Sequence, residues 1–159
     1  MWIAGTAVFV LVTLVVGGLV RIRRRLVVVD VKGDSMRPAL AAGNRVLVGR
    51  VRPAEVRVGQ IVVIEHPHRD QRGWTWPSGG VARGRKEWMI KRVAALPGDP
   101  VPRVVAECLP ADPGSVVPPG HFVVLGDNKA VSIDSRTLGY VPGERVLGVV
   151  LRGLRPVSR

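Results

Sequence analysis

From Leu26 onward the chain is a succession of short apolar, β-branched runs cut by turn-forming residues, and this punctuation limits the fold more than any other feature. The runs are Leu26–Val31, Arg45–Val51, Gln60–Glu65, Glu87–Leu96, His121–Leu125 and Arg145–Leu151, with 13 prolines and 19 glycines spread through 159 residues. Proline removes a backbone donor and glycine raises the entropy lost on ordering, so both work against long helices. No stretch beyond residue 25 carries a sustained 3.6-residue period. The expectation is an all-β domain of antiparallel sheets, barrel-like or sandwich-like, over residues 26–159. Its roughly 134 residues suffice for one hydrophobic core and are cramped for two.

The head of the chain obeys different rules. Trp2 to Val20 carries no charge and is mostly Val, Leu, Ile, Ala, Gly and Thr, about the length a helix needs to cross a hydrocarbon core. We expect one transmembrane helix within residues 1–22. A cleaved signal peptide fits less well, because its apolar core is usually about 7–15 residues and ends at a small-residue site. Here Arg21, Arg23, Arg24 and Arg25 follow instead. By the positive-inside rule those arginines place the following domain in the cytoplasm.

Lys and Arg number 24 against 12 acids, a net charge of +12, which invites an anionic partner. Apart from the Arg21–Arg25 flank and Arg83, Arg85 and Lys86, the cations are scattered. Aromatics are 4% of the chain and no nucleic-acid motif accompanies the charge, so no nucleic acid is expected as partner. Cys108 is the only cysteine, which excludes an intrachain disulfide and a CxxC metal site. His66, His68 and His121 have no companion ligand cluster; no metal and no cofactor is expected. The connection from His66 to Lys86 has no periodicity and carries Trp74 and Trp76, which either cover the edge of the core or meet a membrane interface.

The residue that asks for an explanation is Lys91, in Glu87-Trp88-Met89-Ile90-Lys91-Arg92-Val93. On a strand it shares a face with Met89, Val93 and Ala95, while Arg92 projects with Ile90 and Ala94. A lysine among apolar neighbours loses solvation in its charged form and its pKa falls. To be largely neutral at pH 7 it must drop about 3 pH units, roughly 4 kcal/mol. A neutral amine is a general base that could activate a serine hydroxyl. The bland alternative is a lysine that snorkels to the sheet edge. Ser35, at the bend Gly33-Asp34-Ser35-Met36-Arg37-Pro38, could present hydroxyl and backbone N–H together toward a cleft.

Taken with Gly126-Asp127-Asn128 and Ser132-x-Asp134-Ser135-Arg136, the chain resembles the type I signal peptidases, membrane-anchored serine–lysine endopeptidases. The likeness rests on an apolar head, Gly-Asp-Ser-Met-x-Pro-x-Leu at residues 33–40, Ile-Lys-Arg-Val and Leu-Pro-Gly-Asp within residues 90–99, and the motif at residues 126–136. The resemblance implies Ser35 as nucleophile and Lys91 as general base. It implies Ser132 as the hydroxyl that orients the lysine, an Asp134–Arg136 salt bridge behind it, and Asp127 with Arg92 bracing loop and strand. Met36, Met89, Ile90 and Leu40 would wall a pocket for small residues of the substrate. The implied activity is removal of signal or leader peptides from preproteins after an Ala-x-Ala-like site, in a single-pass protein of the cytoplasmic membrane with its catalytic domain outside.

Three departures matter. Gly33 stands where some members have a serine that adds an oxyanion donor, so the second donor is unassigned. Lys129-Ala130-Val131 replaces the Arg-Asp-Asn common after Gly-Asp-Asn. Only about 20 residues separate Asp99 from Gly120, too few for the extra domain some relatives carry. The Arg21–Arg25 flank leaves open a dedicated maturation peptidase on the cytoplasmic face. A non-catalytic basic β-domain that binds acidic partners has no need of Ser35, Lys91 and Ser132 together. A self-cleaving repressor of related fold would need a DNA-binding helix pair before the β region, where this sequence has its apolar head.

Overall fold

The structure, a computed structural model, describes residues 25–71, 73–76, 87–109 and 114–154, with residues 13, 17 and 18 besides. The expected transmembrane segment, Trp2 to Val20, therefore lies almost wholly outside the described residues, and among those no helix is long and apolar enough to cross a membrane.

Among the described residues the strands are β1 (Leu26–Asp30), β2 (Arg45–Gly49), β3 (Ile61–Glu65), β4 (His68–Asp70), β5 (Gly73–Thr75), β6 (Trp88–Ala95), β7 (His121–Leu125), β8 (Val141–Pro142) and β9 (Val146–Leu154). Seven form one antiparallel sheet in the order β1-β2-β9-β3-β6-β7-β8, and β4 pairs with β5 as a satellite hairpin. All six expected runs are strands, with ends shifted by up to three residues. The β4–β5 hairpin and β8 were not anticipated. They are built of strands three and two residues long, too short for a period-2 signal to rise above a loop.

Burial explains why the runs are solidly apolar. In β3, Val62 and Ile64 enter one core with Met89, Val93, Phe122 and Val146, while Val63 enters a second with Ile90, Val29 and Val48. A strand covered on both faces needs apolar residues at consecutive positions, whereas β1, with Leu26 and Val28 outward and Val29 inward, alternates. Each fully buried Val or Ile contributes about 1.5–3 kcal/mol from area alone.

Alternate strands run the same way, so β1 and β6 are parallel although three strands lie between them in the sheet. The sheet is curled enough for both to line one cleft of about 710 Å³. Trp76 packs against the edge of the core, while Trp74 meets His66 at 6.0 Å between ring centroids and lies under the Arg69 guanidinium at 5.7 Å.

Candidate active site

Ser35 is held by what lies on either side of it. Gly33 turns the chain out of β1 with φ of +75°, a left-handed conformation that glycine adopts without strain. Met36, 1% exposed, drives the next side chain into the core beside Val29, Val46 and Ile90. The turn closes through Leu40 N–H donating to the Met36 carbonyl at 2.8 Å, and the Arg37–Pro38 peptide is cis. With Met36 as a plug, Ser35 is left half-buried in the wall of the cleft.

Lys91 stands on β6 opposite Val62 of β3 and is 3% exposed. It does not snorkel to an edge. Its Nζ donates to Ser35 Oγ at 2.8 Å, joining residues 56 positions apart. Burial holds the ammonium pKa down to about 8 from 10.5, against the attraction of the Asp134 carboxylate and with help from the Arg136 guanidinium. At pH 7 about one lysine in ten is then neutral, short of the largely neutral base the sequence suggested, because the nearby carboxylate offsets part of the desolvation.

Asp134 is fully buried and satisfied on both oxygens. Oδ1 accepts from Arg136 Nε at 2.9 Å, and Oδ2 accepts from Arg136 Nη2 at 2.6 Å and from Gly126 N–H at 2.8 Å. Burial pushes its pKa up, but Arg136, the Gly126 amide and the nearby Ser132 hydroxyl together hold it below the usual carboxylate range. It also caps the helical turn Ser135–Leu138 by accepting from Arg136 N–H at 3.2 Å.

Asp127 and Arg92 form a two-pronged pair, Nε to Oδ1 at 2.8 Å and Nη2 to Oδ2 at 2.7 Å, and Arg92 Nη1 adds the Gly59 carbonyl at 2.9 Å. The expected brace between loop and strand is thus formed.

Ser132 departs from expectation. Its Oγ is buried and has no hydrogen-bond partner. It lies near enough to Asp134 to help depress that carboxyl, but hydrogen bonds are directional and neither Asp134 nor Lys91 meets the geometry. The backbone explains its placement: a Cβ on Gly126 would come within 2.5 Å of Ser132 Cβ and 2.8 Å of the Ser35 carbonyl oxygen. Gly126 is the spacer that lets nucleophile loop and Ser132 loop meet, and Asn128 N–H donates to that same Ser35 carbonyl at 2.9 Å.

Met36, Met89 and Ile90 line the cleft. Leu40 does not. It is 7% exposed and packs in the core with Val29, Val31 and Val46, because the turn that exposes Ser35 points residues 36 and 40 to the same interior side.

Two features were not foreseen from the sequence. Ser135, fully buried, accepts from Val124 N–H of β7 at 2.9 Å and so fixes the Asp134 turn to the sheet; its only signal was its place in the motif. Arg145 and Glu65, each 4% exposed in the side chain, pair at 3.3 Å across 80 residues of chain, a separation at which no local pattern helps.

The sequence matches the family model of signal peptidase, peptidase S26, over residues 2–106 and 103–152. It is 32% identical over 149 residues to a probable signal peptidase I-1 of Synechocystis sp., spanning 81% of this chain and 71% of that protein. It is 29% identical over 193 aligned positions to signal peptidase IB of Staphylococcus aureus, spanning 99% and 90%. A solved signal peptidase I from Enterococcus faecalis covers 60% of this chain and 97% of that one at 21% identity, with a TM-score of 0.37. A family match across most of its length, the residues of the Ser35–Lys91 cleft included, means that this chain belongs to the signal peptidase family, peptidase S26.

Proposed function

We propose that this protein is a membrane-anchored serine endopeptidase that removes signal or leader peptides from preproteins, cutting after small residues in an Ala-x-Ala-like pattern, with Ser35 as nucleophile and Lys91 as general base. The single observation that carries the proposal is the 2.8 Å contact between Lys91 Nζ and Ser35 Oγ in the wall of a cleft. The neutral Lys91 amine takes the Ser35 proton as Oγ attacks the scissile carbonyl carbon, and the Ser35 N–H stabilises the oxyanion. Lys91 then gives that proton to the leaving amine, leaving an acyl ester on Ser35. A water that gives its proton to Lys91 hydrolyses the ester. Met36, Met89 and Ile90 supply apolar wall in that cleft for the small side chains beside the reacting bond.

Residues 1–22 form the anchor and residues 26–159 the peptidase domain. From Ile22 to Ser35 is 13 residues, at most about 45 Å of extended chain, which keeps the cleft near the bilayer where membrane-held substrates present their cut sites. The catalytic domain lies outside the cytoplasmic membrane, where preproteins emerge. The Arg21–Arg25 flank favours one other reading, a dedicated maturation peptidase on the cytoplasmic face with the same chemistry. Alkaline phosphatase fused at Arg159 decides between them, since its activity there overturns the cytoplasmic reading.

The test of the chemistry is cleavage of a purified preprotein with an Ala-x-Ala site by the full chain in detergent, beside Ser35→Ala and Lys91→Ala. Cleavage after the second alanine by the wild type alone is the expected result. Appreciable cleavage by either variant overturns the assigned roles.

A further inference from the structure

The cleft has two ends of different charge. Because β1 and β6 are parallel, its C-terminal end holds Ser35 and Lys91, and its other end holds Val27, Glu87 and His66. The acids along it are not equivalent. Asp30 pairs with Arg45 at 3.2 Å and Asp34 with Arg37 at 2.8 Å, while Glu87 is exposed and its side chain makes no ion pair or hydrogen bond among the described residues. Its backbone is fixed, since the Glu87 carbonyl accepts from His66 N–H at 3.0 Å and continues the β3–β6 ladder. A carboxylate with no partner among the described residues, on a rigid strand end, therefore lines the cleft.

We infer that Glu87 is a specificity-determining residue, selecting cationic and disfavouring anionic side chains at the fourth and fifth residues before the scissile bond. The inference rests on the peptidase reading given above. The direction of the peptide follows from the anchor. β1 begins directly after it, so the Glu87 end of the cleft is the end nearest the bilayer, and the membrane-held part of a substrate precedes its cut site. The spacing follows from strand geometry. Glu87 stands four positions before Lys91, about 13 Å at roughly 3.3 Å per residue, so an extended substrate places its fourth or fifth residue opposite Glu87. His66 is the other titratable group at that end, and the two lining lysines without an ion pair among the described residues, Lys32 and Lys91, lie toward Ser35. Among the described lining residues, the carboxylate at that end is thus Glu87.

An exposed ion pair changes binding only a few-fold, so the effect to look for is a preference and not a switch. Three peptides sharing one Ala-x-Ala site, with two lysines, two glutamates or two glutamines at the fourth and fifth positions before the cut, are given to the full-length enzyme in detergent at low salt. The wild type is expected to favour the lysine peptide over the glutamate peptide by about fivefold in kcat/KM. Glu87→Gln should level the two, Glu87→Lys should invert the order, and added salt should shrink the preference. The glutamine peptide should be cut equally by all three enzymes. If it is cut and the lysine-to-glutamate ratio is the same in wild type and Glu87→Lys, the inference is overturned while the peptidase reading stands. If no enzyme cuts any peptide, the peptidase reading has failed.

Discussion

Replacing Lys91 with methionine should abolish cleavage and make the protein more stable at neutral pH. The folded pKa of about 8 lies below the unfolded value of 10.5, so below pH 8 both states carry the proton and the fold bears the full penalty of a buried charge. That penalty is about 3 kcal/mol, since each pH unit between the two values corresponds to roughly 1.4 kcal/mol. Methionine fills a similar volume without charge, and the lost hydrogen bond to Ser35 takes back about 1 kcal/mol. The expected net gain near pH 6.5 is about 2 kcal/mol. Between pH 8 and 10.5 the unfolded chain holds a proton that the folded one has released, so wild-type stability rises with pH there. By pH 9.5 the wild type has recovered about 2 kcal/mol and the advantage of the variant has all but vanished. Guanidinium unfolding of the full chain in detergent at both pH values, followed by tryptophan fluorescence, measures the difference. A Lys91→Met advantage that does not change with pH, or a variant less stable at pH 6.5, refutes the account of Lys91 as a desolvated base.

The same pKa sets the acid limb of activity: kcat/KM for an Ala-x-Ala preprotein should climb about tenfold per pH unit below 8 and level off above it, and a limb centred below 7 speaks against the assignment. Asp134→Asn removes the carboxylate that raises the Lys91 pKa, so the limb should move to lower pH, while chemical denaturation shows a loss of about 2 kcal/mol from the broken charge-assisted bonds. Gly126→Ala drives a methyl into Ser132 and the Ser35 carbonyl, and should lower kcat about 100-fold with the circular dichroism of the sheet retained. Glu65→Gln removes the buried carboxylate from Arg145, which keeps its ion pair with Glu144 at 3.0 Å, and should lower unfolding free energy by about 1–2 kcal/mol, read by the same denaturation, with little change in the pH limb.

What could be foreseen in the sequence divides along physical lines. The strands were legible because burial on one or two faces leaves a period or an unbroken apolar run, as in Ile61–Glu65 and Trp88–Ala95. Lys91 was legible as an anomaly, a charge where a strand should be apolar. Leu40 was misplaced because the motif gives its spacing from Ser35 but not the tight turn that sends it inward. The Arg145–Glu65 pair was invisible since it depends on β9 meeting β3, a pairing set by the whole sheet. Ser132 was expected on Lys91 and is instead unpartnered, because its position is decided by backbone packing against Gly126 and not by its hydroxyl.

That packing bears on how a nucleophile and a base on unpaired parts of the sheet come to lie 2.8 Å apart. Ser35 follows β1, at one edge, and Lys91 is on β6, fifth in the order, so no ladder hydrogen bond sets their separation. The segment from Gly126 to Arg136 does. It grips the Ser35 loop through Asn128 N–H and the bare Gly126 backbone, and grips β6 through Asp127 and Arg92. Its own far end is pinned to β7 by Ser135 and folded back on Gly126 by Asp134. The segment thus acts as a clamp across the curl of the sheet. Loosening it at Gly126 or Asp127 should widen the Ser35–Lys91 gap and lower kcat, even though neither residue touches the reacting atoms.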